Sequence, residues 1–267
     1  MLYLRDYPCS DCASREEAPI LLILHGLFGS ADNWNSQARD LSDRFHVMVP
    51  DMPDHGSSPH SDEVSYDSMV AAVRELILDA GRPVNILGHS MGGKVAMATA
   101  LLHPEVVSSV VVADIAPVRY PPRHEEIFRA MEEVSAAILR GEVENRAAAD
   151  RVMEPLVRER QIRAFILKNL VPAESGYRWR LNLAGLQEGY RAISGWPLSP
   201  DREGLSPYMG PALFIRAENS PYITDEDVKK ITPLFPNAAV ELMKGVGHWL
   251  HAEDRQRFLS LVRSFLM

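Results

Sequence analysis

The sequence has few of the features that mark membrane proteins and nucleic-acid-binding proteins. No apolar run approaches the ~20 residues of a membrane-spanning helix. The 28 lysines and arginines are outnumbered by 36 aspartates and glutamates, which gives a formal net charge of −8. Because phosphate binding requires a basic face, we expect no nucleic-acid partner. The N-terminus has neither the basic region nor the apolar stretch of a signal peptide, so we expect a cytoplasmic protein.

Cysteine is also scarce, since the chain of 267 residues contains only Cys9 and Cys12. Their spacing occurs in redox and metal sites, but a zinc site needs further ligands and there is no second cysteine pair. Pro8 and the Ser10-Asp11 pair around them indicate a turn. We therefore expect a solvent-side loop that carries no chemistry.

Composition and periodicity predict a single α/β domain that carries an insertion. Hydrophobic residues make up 46% of the chain and charged residues 24%, which is enough to build a substantial core. Short apolar runs alternate with segments of helical period, the pattern of βαβ units and a mostly parallel sheet. The predicted strands lie at 20–24, 47–49, 84–87, 110–113, 212–215 and 239–243.

One interval breaks this alternation. From Pro117 to Pro211 no strand-like run is found, and helical patterns dominate. The simplest interpretation is a helical cap, 117–210, inserted into a core formed by 1–116 and 211–267. Such a cap would roof a pocket at the carboxyl ends of the strands, where open α/β sheets bind small-molecule ligands.

The most informative motif is Gly-His-Ser-Met-Gly-Gly at 88–93, which lies between a predicted strand and a predicted helix. A Gly-x-Ser-x-Gly turn in this context lifts the serine clear of the sheet and points the following amide at a reacting carbonyl. Ser90 is therefore the candidate nucleophile, and the Met91 amide is a candidate oxyanion donor. Taken alone, the pattern is loose and occurs in many unrelated proteins.

A second glycine-rich loop, His-Gly-Leu-Phe-Gly at 25–29, follows the first central strand directly. In a fold with this serine turn, the second oxyanion donor comes from that loop. The predicted oxyanion pair is therefore the amides of Leu27 and Met91. The alternative is a plain strand-to-helix turn.

A serine nucleophile needs a base, and nine histidines compete for that role. His248 follows the last predicted strand in a glycine-rich loop and completes the chain order Ser…Asp…His. His251 is its nearest rival, although we expect it to begin the last helix. His89 is next to the serine, but we expect its side chain to point away across the turn.

Two carboxylates remain open as the third member of the triad. Asp114 stands at the carboxyl end of strand 110–113, beside the strand that leads to the serine, where it could reach Nδ1 of His248. Glu218 follows strand 212–215. We favour Asp114, because a triad is recognised by its geometry and not by its sequence positions.

Several motifs together resemble the YbfF-type esterases of the α/β-hydrolase superfamily, over nearly the whole chain and including the cap. They are HGLFGS at 25–30, NW at 33–34, DMPDHGSS at 51–58, GHSMGGK at 88–94, DIAP at 114–117, NSPY at 219–222 and GHW at 247–249. The resemblance implies an α/β-hydrolase fold and a cofactor-free, metal-free hydrolase of short to medium acyl esters. It also supports Asp114 as the acid, since these esterases place an aspartate at the equivalent strand end. At the position where most α/β-hydrolases carry the acid, after strand 212–215, this chain has Ser220.

Other functions are compatible with the same residues. Acyl-CoA thioester hydrolysis, perhydrolysis or a cyanohydrin lyase would use the same triad, and a comparison of acyl-CoA with ester turnover separates thioesterase from esterase. A catalytically silent ligand-binding module is the non-enzyme alternative, which failure to react with a fluorophosphonate would favour. Neither oligomeric state nor physiological substrate follows from the sequence.

Overall fold

A mostly parallel sheet forms the centre of the molecule. The computed structural model describes residues 1–12, 14, 17–198 and 205–267. In chain order, the strands found there are β1 (Leu4–Tyr7), β2 (Ile20–Leu24), β3 (His46–Pro50), β4 (Val84–His89), β5 (Val107–Ala113), β6 (Leu170–Pro172), β7 (Tyr177–Trp179), β8 (Ala212–Ala217) and β9 (Ala238–Met243). The central sheet has the order β1-β3-β2-β4-β5-β8-β9, with only the β1–β3 pair antiparallel. The predicted α/β architecture is confirmed.

Helices cover both faces of this sheet. Those that follow core strands are α1 (Asn35–Leu41), α2 (Tyr66–Asp79), α3 (Met91–Leu102), α9 (Asp225–Ile231), α10 (Leu250–Glu253) and α11 (Arg255–Leu266). The Ser65 hydroxyl accepts a hydrogen bond from the Ser68 amide, so α2 begins where a serine N-cap predicts. In the described ranges, no helix has both the length and the apolar character needed to cross a bilayer.

Alternate residues of each central strand enter two separate cores. Leu22 and Leu24 belong to the cluster that contains residues of α2 and α3. Leu21 and Ile23 belong to the cluster that contains residues of α1 and α11. Successive side chains of a strand point to opposite faces, so an unbroken apolar run such as β2 is expected for a strand that is buried on both faces.

The segment between β5 and β8 is mainly helical. It holds α4 (Glu125–Leu139), α5 (Arg146–Met153), α6 (Arg160–Ile166), α7 (Leu183–Glu188) and α8 (Tyr190–Ser194). Residues 199–204, within the predicted cap, lie outside the described residues. We call the described part of 117–210 the inserted segment.

The expectation that the inserted segment contains no strand is wrong. Strands β6 and β7 pair as an antiparallel hairpin, Leu170 opposite Trp179 and Pro172 opposite Tyr177. Three-residue strands are too short to show a period-two pattern, so sequence periodicity misses them. The helical pattern after β7 is divided at Gly189 into two short helices, α7 and α8.

The N-terminal cysteine pair also differs from expectation. Cys9 and Cys12 are joined by a disulfide, and Cys9 is buried, so the loop is not wholly on the solvent side. The backbone of this loop is tied to the end of α1 by a hydrogen bond of 2.8 Å from the Ser10 amide to the Ser42 carbonyl.

The sheet register brings the predicted site residues to one edge. His89 of β4 pairs with Ala113 of β5, and Ala113 pairs with Ile215 of β8. The residues that follow, Ser90 and Asp114, therefore leave neighbouring parallel strands at the same level. This places both at the carboxyl edge of the sheet, where α/β folds form their ligand sites.

Close backbone contact at Gly92, near the start of α3, predicts that a larger residue there will destabilise the fold. A Cβ added at Gly92 would lie 2.6 Å from the His25 carbonyl oxygen and would also collide with the Leu24 carbonyl oxygen. Because both obstacles are backbone atoms of β2 and its loop, we expect Gly92→Ala to lower the free energy of unfolding by about 3 kcal/mol. Urea denaturation measures this change.

Gly141→Ala is the matched control. Gly141 has a φ of +74° but nothing lies within 4 Å of an added Cβ, so only the left-handed backbone should cost energy, about 1 kcal/mol. An equal or smaller loss in Gly92→Ala would contradict the close packing described here.

Candidate active site

Ser90 occupies a sharp turn between β4 and α3. Its φ of 53° and ψ of −118° lie in a region that L-residues rarely adopt, as expected for a serine lifted clear of a sheet. The Ser90 amide donates to the Ala113 carbonyl at 3.2 Å, which fixes the turn to β5. In the described ranges the Ser90 hydroxyl forms no hydrogen bond. Contacts of that kind often tighten only when a substrate binds.

Asp114 and His248 form a hydrogen-bonded pair beside this turn. Asp114 directly follows β5, has a φ of 50° and is completely buried. Its Oδ2 lies 2.8 Å from Nδ1 of His248, and its Oδ1 accepts the Ala217 amide at 3.0 Å. An ionised carboxylate only accepts, so Nδ1 carries the proton and Nε2 is left as the basic nitrogen.

The rival acid lies elsewhere. Glu218 is exposed, and its Oε2 accepts the Gly245 amide at 2.8 Å. It forms no hydrogen bond with His248 in the part of the chain that the structure describes. The geometry therefore favours Asp114 over Glu218 as the partner of the histidine.

Sequence reasoning did not give Ser220 a role, although it noted the residue. The Ser220 hydroxyl donates to Oδ2 of Asp114, the same oxygen that faces His248. A buried carboxylate is costly unless its oxygens accept hydrogen bonds, and Ser220 supplies one of the donors. The only signal in the sequence for this role was that Ser220 occupies the position where an aspartate is usual.

The loop after β2 lies against the serine. A Cβ added at Gly26 would be 3.2 Å from Cβ of Ser90. The Gly26 carbonyl accepts from Nδ1 of His25 and from the Gly29 amide, both at 2.9 Å. Because a trans peptide is planar, the Leu27 N–H points in the direction opposite to that carbonyl.

The second predicted oxyanion donor lies at the beginning of a helix. Met91 is the first residue of α3, so its N–H has no acceptor within the helix. Leu27, Ser90 and Met91 all line one cavity. The two predicted donors and the predicted nucleophile therefore share a site, and the helix N-terminus adds favourable potential for an anion.

Buried histidines surround the pair of Asp114 and His248. Nε2 of His25 accepts the Met52 amide at 2.9 Å, and Nε2 of His89 donates to the His248 carbonyl at 2.8 Å. His251 stacks on Trp34, with ring centroids 4.3 Å apart. His89 also contacts the His248 ring, with centroids 4.7 Å apart, so its side chain packs against His248 and does not point away from the site as the sequence suggested.

Burial keeps these histidines neutral. It lowers the pKa of His25 to about 4 and that of His251 to about 3, and it holds the pKa of His89 well below its usual value. Neutral rings are required by the hydrogen bonds, since Nε2 of His25 can accept the Met52 amide only when it is unprotonated. His251 belongs to the short helix α10, which precedes the last helix.

The cavity beside Ser90 lies between the sheet edge and the inserted segment. Its walls combine apolar, aromatic and cationic side chains from both parts. They are Leu27, Tyr66, Ser90, Met91, Lys94, Ile115, Tyr120, Pro121, Arg123, His124, Tyr190, Ile193, Ser194 and Tyr222. The sequence analysis did not predict cavity positions for Lys94 and His124, because neither position follows from local periodicity.

Lys94 is an unusual wall residue, because a lysine side chain is rarely as fully buried as this one. Its Nζ donates to the carbonyls of Ser194 and Gly195, and it lies 4.8 Å from the centroid of the Tyr120 ring. Burial, with a smaller contribution from the positive charge of Arg119, lowers the pKa of Lys94 to about 7. The lysine therefore connects α3 to the end of α8 in the inserted segment.

Metal chemistry has no obvious donor set here. In residues 1–12, 14, 17–198 and 205–267, no three histidine, cysteine or carboxylate side chains are grouped so that they could hold a metal ion. The polar groups of the site are those of the Ser90, His248 and Asp114 set and of the cavity walls.

Comparison with known proteins decides the family. A profile of the alpha/beta hydrolase fold matches residues 19–255. The chain belongs to the α/β-hydrolase family. It is 39% identical to the mouse sn-1-specific diacylglycerol lipase ABHD11, over 93% of this chain and 81% of the mouse protein. It is 36% identical to esterase YbfF of Escherichia coli K12, over 93% of each chain.

A solved structure has the same fold as this α/β-hydrolase over nearly its whole length. A marine microorganism esterase superposes with a TM-score of 0.88 and 36% sequence identity, covering 99% of this chain and 98% of that one. The predicted α/β-hydrolase fold and the resemblance to YbfF-type esterases are therefore confirmed.

The neutral histidines of this α/β-hydrolase predict how its stability depends on pH. The unfolded chain binds protons near the usual histidine pKa of 6.5, whereas folded His25, His55 and His251 bind them only near pH 3 to 4. Their contribution to stability is complete above pH 6.5 and is lost as the pH falls. Each such histidine should lower the unfolding free energy by up to about 1.4 kcal/mol per pH unit.

Urea denaturation between pH 7 and pH 5 measures this slope. His251→Phe is the informative variant, because it keeps an aromatic ring against Trp34 and removes one titrating group whose Nδ1 is unpartnered in the described ranges. We expect its slope to be smaller by about one proton. An unchanged slope would contradict the assignment of His251 as a buried neutral histidine.

Proposed function

We propose that this protein is a serine carboxylic-ester hydrolase that acts on short to medium acyl esters through an acyl-enzyme. The observation that carries the proposal is the 2.8 Å hydrogen bond between buried Asp114 and Nδ1 of His248, beside the strained turn of Ser90. This arrangement supplies a base with a fixed tautomer next to a hydroxyl that is otherwise a poor nucleophile.

The proposed reaction has two steps, acylation of Ser90 and hydrolysis of the acyl-enzyme, and His248 transfers protons in both. Nε2 of His248 takes the Ser90 proton while Oγ attacks the acyl carbon, and the amides of Leu27 and Met91 stabilise the oxyanion. His248 then gives its proton to the leaving alcohol. Water, activated by the same histidine, releases the acid and restores the free serine.

The family relationship supports the reaction class. The relatives named above are an esterase and a diacylglycerol lipase, and both align with nearly all of this chain. The chain is an ester-bond hydrolase. The serine mechanism and the acyl-length preference are our proposals, and they rest on the geometry around Ser90 and on the cavity walls.

The cavity supports a small acyl substrate. Leu27, Met91 and Ile115 give it apolar walls near the serine, which suits an acyl chain. We propose that 117–210 acts as a cap over a core of 1–116 and 211–267, since Tyr120, His124 and Tyr190 of the inserted segment complete the walls. Cytoplasmic localisation stays a prediction from the sequence.

Three variants test the triad. We expect Ser90→Ala and Asp114→Asn each to reduce kcat for p-nitrophenyl butyrate by about ten-thousandfold. The first change removes the nucleophile, and the second removes the carboxylate that holds His248 in the tautomer with a basic Nε2. Glu218→Gln, which removes the charge of an exposed carboxylate, should retain kcat within about twofold.

Circular dichroism and urea denaturation of each variant provide the control for folding. Full activity in Ser90→Ala would refute the serine mechanism. A large loss in Glu218→Gln, together with retained activity in Asp114→Asn, would reverse the assignment of the acid.

A further inference from the structure

A cap side chain reaches the oxyanion loop. Asn169 ends the short turn of 3-10 helix at Leu167–Asn169, after α6, and is only 2% exposed. Its Nδ2 donates to the Phe28 carbonyl at 2.8 Å and to the Ile166 carbonyl at 3.2 Å. Both amide protons of this side chain are therefore used, one inside the cap and one on the loop after β2.

The residue that Asn169 holds has an unfavourable backbone conformation. Phe28 has a φ of +61°, which is rare for a bulky residue and costs energy of its own. Its ring meets Phe128 edge-to-face at a centroid distance of 5.1 Å and His124 at 6.0 Å. The ring and the carbonyl of Phe28 are thus both in contact with the cap.

This conformation matters because Phe28 follows Leu27, the proposed oxyanion donor. The Gly26 carbonyl sets the direction of the Leu27 N–H, and that carbonyl is held from within the loop by His25 and Gly29. If Phe28 relaxed to a negative φ, the chain direction between Leu27 and Gly29 would change. The Gly29 hydrogen bond that closes this turn would then be lost.

We propose that Asn169 is a positioning residue that holds the oxyanion loop in its active conformation from the cap. The proposal rests on the assignment of Leu27 as an oxyanion donor in the proposed function. It makes stabilisation of the transition state depend on the cap, because Asn169 and Phe128 of the cap support the loop.

A second hydrogen bond between cap and core provides the matched control. Nδ2 of Asn182 donates to Oδ1 of Asp54 at 2.8 Å, and the Asn182 amide donates to the Asp54 carbonyl at 2.9 Å. This pair joins the same two parts of the molecule, but in the described ranges neither Asn182 nor Asp54 forms a hydrogen bond with any of residues 25–29. Loss of cap attachment in general should therefore affect Asn169 and Asn182 variants alike.

The test compares Asn169→Leu and Asn169→Asp with Asn182→Ala. The first two keep the approximate size of the side chain, and neither leucine nor an ionised aspartate can donate a hydrogen bond to the Phe28 carbonyl. For p-nitrophenyl butyrate we expect kcat to fall about tenfold or more in both, with KM changed by no more than about twofold. Asn182→Ala should lose stability to urea but keep kcat within about twofold.

The inhibition constant of a trifluoromethyl ketone is a second measurement, and it would not change if Asn169 had only a structural role. Ser90 Oγ adds to the ketone carbon and its proton passes to His248, which leaves an oxyanion in the proposed hole. We expect the inhibition constant to rise in the Asn169 variants by the same factor by which kcat/KM falls. In Asn182→Ala it should stay at the wild-type value.

Each other result is decisive. Unchanged kcat in a folded Asn169→Leu would overturn the inference, as would equal losses of kcat in Asn169→Leu and Asn182→Ala. If both Asn169 variants fail to fold, Phe128→Leu takes their place, with a loss in kcat and in ketone binding expected and unchanged values overturning the inference. Ser90→Ala in the same assay distinguishes failure of this inference from failure of the proposed function, since full activity of that variant would refute the proposed function itself.

Discussion

At the start of α3, the backbone of Gly92 lies directly against the carboxyl end of β2, with no space for a Cβ between them. This contact fixes the distance between two loops that come from separate parts of the chain. The turn at Ser90 is on one side of it and the loop around Leu27 is on the other, so backbone packing brings the proposed nucleophile and a proposed anion donor together. The same contact directs the N-terminus of α3 towards the cavity, where its free amides favour negative charge.

The remaining site geometry depends on groups that are costly to hold in place. Phe28, Ser90 and Asp114 all have positive φ values, although none is glycine, and all three lie in loops or turns that follow central strands at the carboxyl edge of the sheet. Strain of this kind persists only where surrounding contacts over-determine it. Here those contacts are the parallel register of β4, β5 and β8, the hydrogen bonds of buried neutral histidines, and side chains of the inserted segment. Stability and chemistry therefore depend on the same interactions.

The parts of this molecule that were predictable from sequence are those encoded locally. The buried strands, the serine turn and the position of Asp114 follow from apolar runs, glycine spacing and strand ends. Two hydrogen bonds, from the Ser220 hydroxyl to Asp114 and from the Asn169 amide to Phe28, join residues more than a hundred positions apart. No local sequence pattern predicts them. The β6–β7 hairpin was missed because its strands are too short to show a period. The burial of Lys94 depends on where α8 ends, which is also a tertiary fact.

The central claim is that the hydroxyl of Ser90 is the group that becomes acylated. Reaction with a fluorophosphonate, followed by digestion and peptide mass spectrometry, tests this most directly, because the reagent remains on the attacking atom. The account predicts one phosphonylated site, on the peptide that contains Ser90, with labelling that proceeds in step with loss of esterase activity. Labelling at another residue, or loss of activity without a label on Ser90, would contradict it.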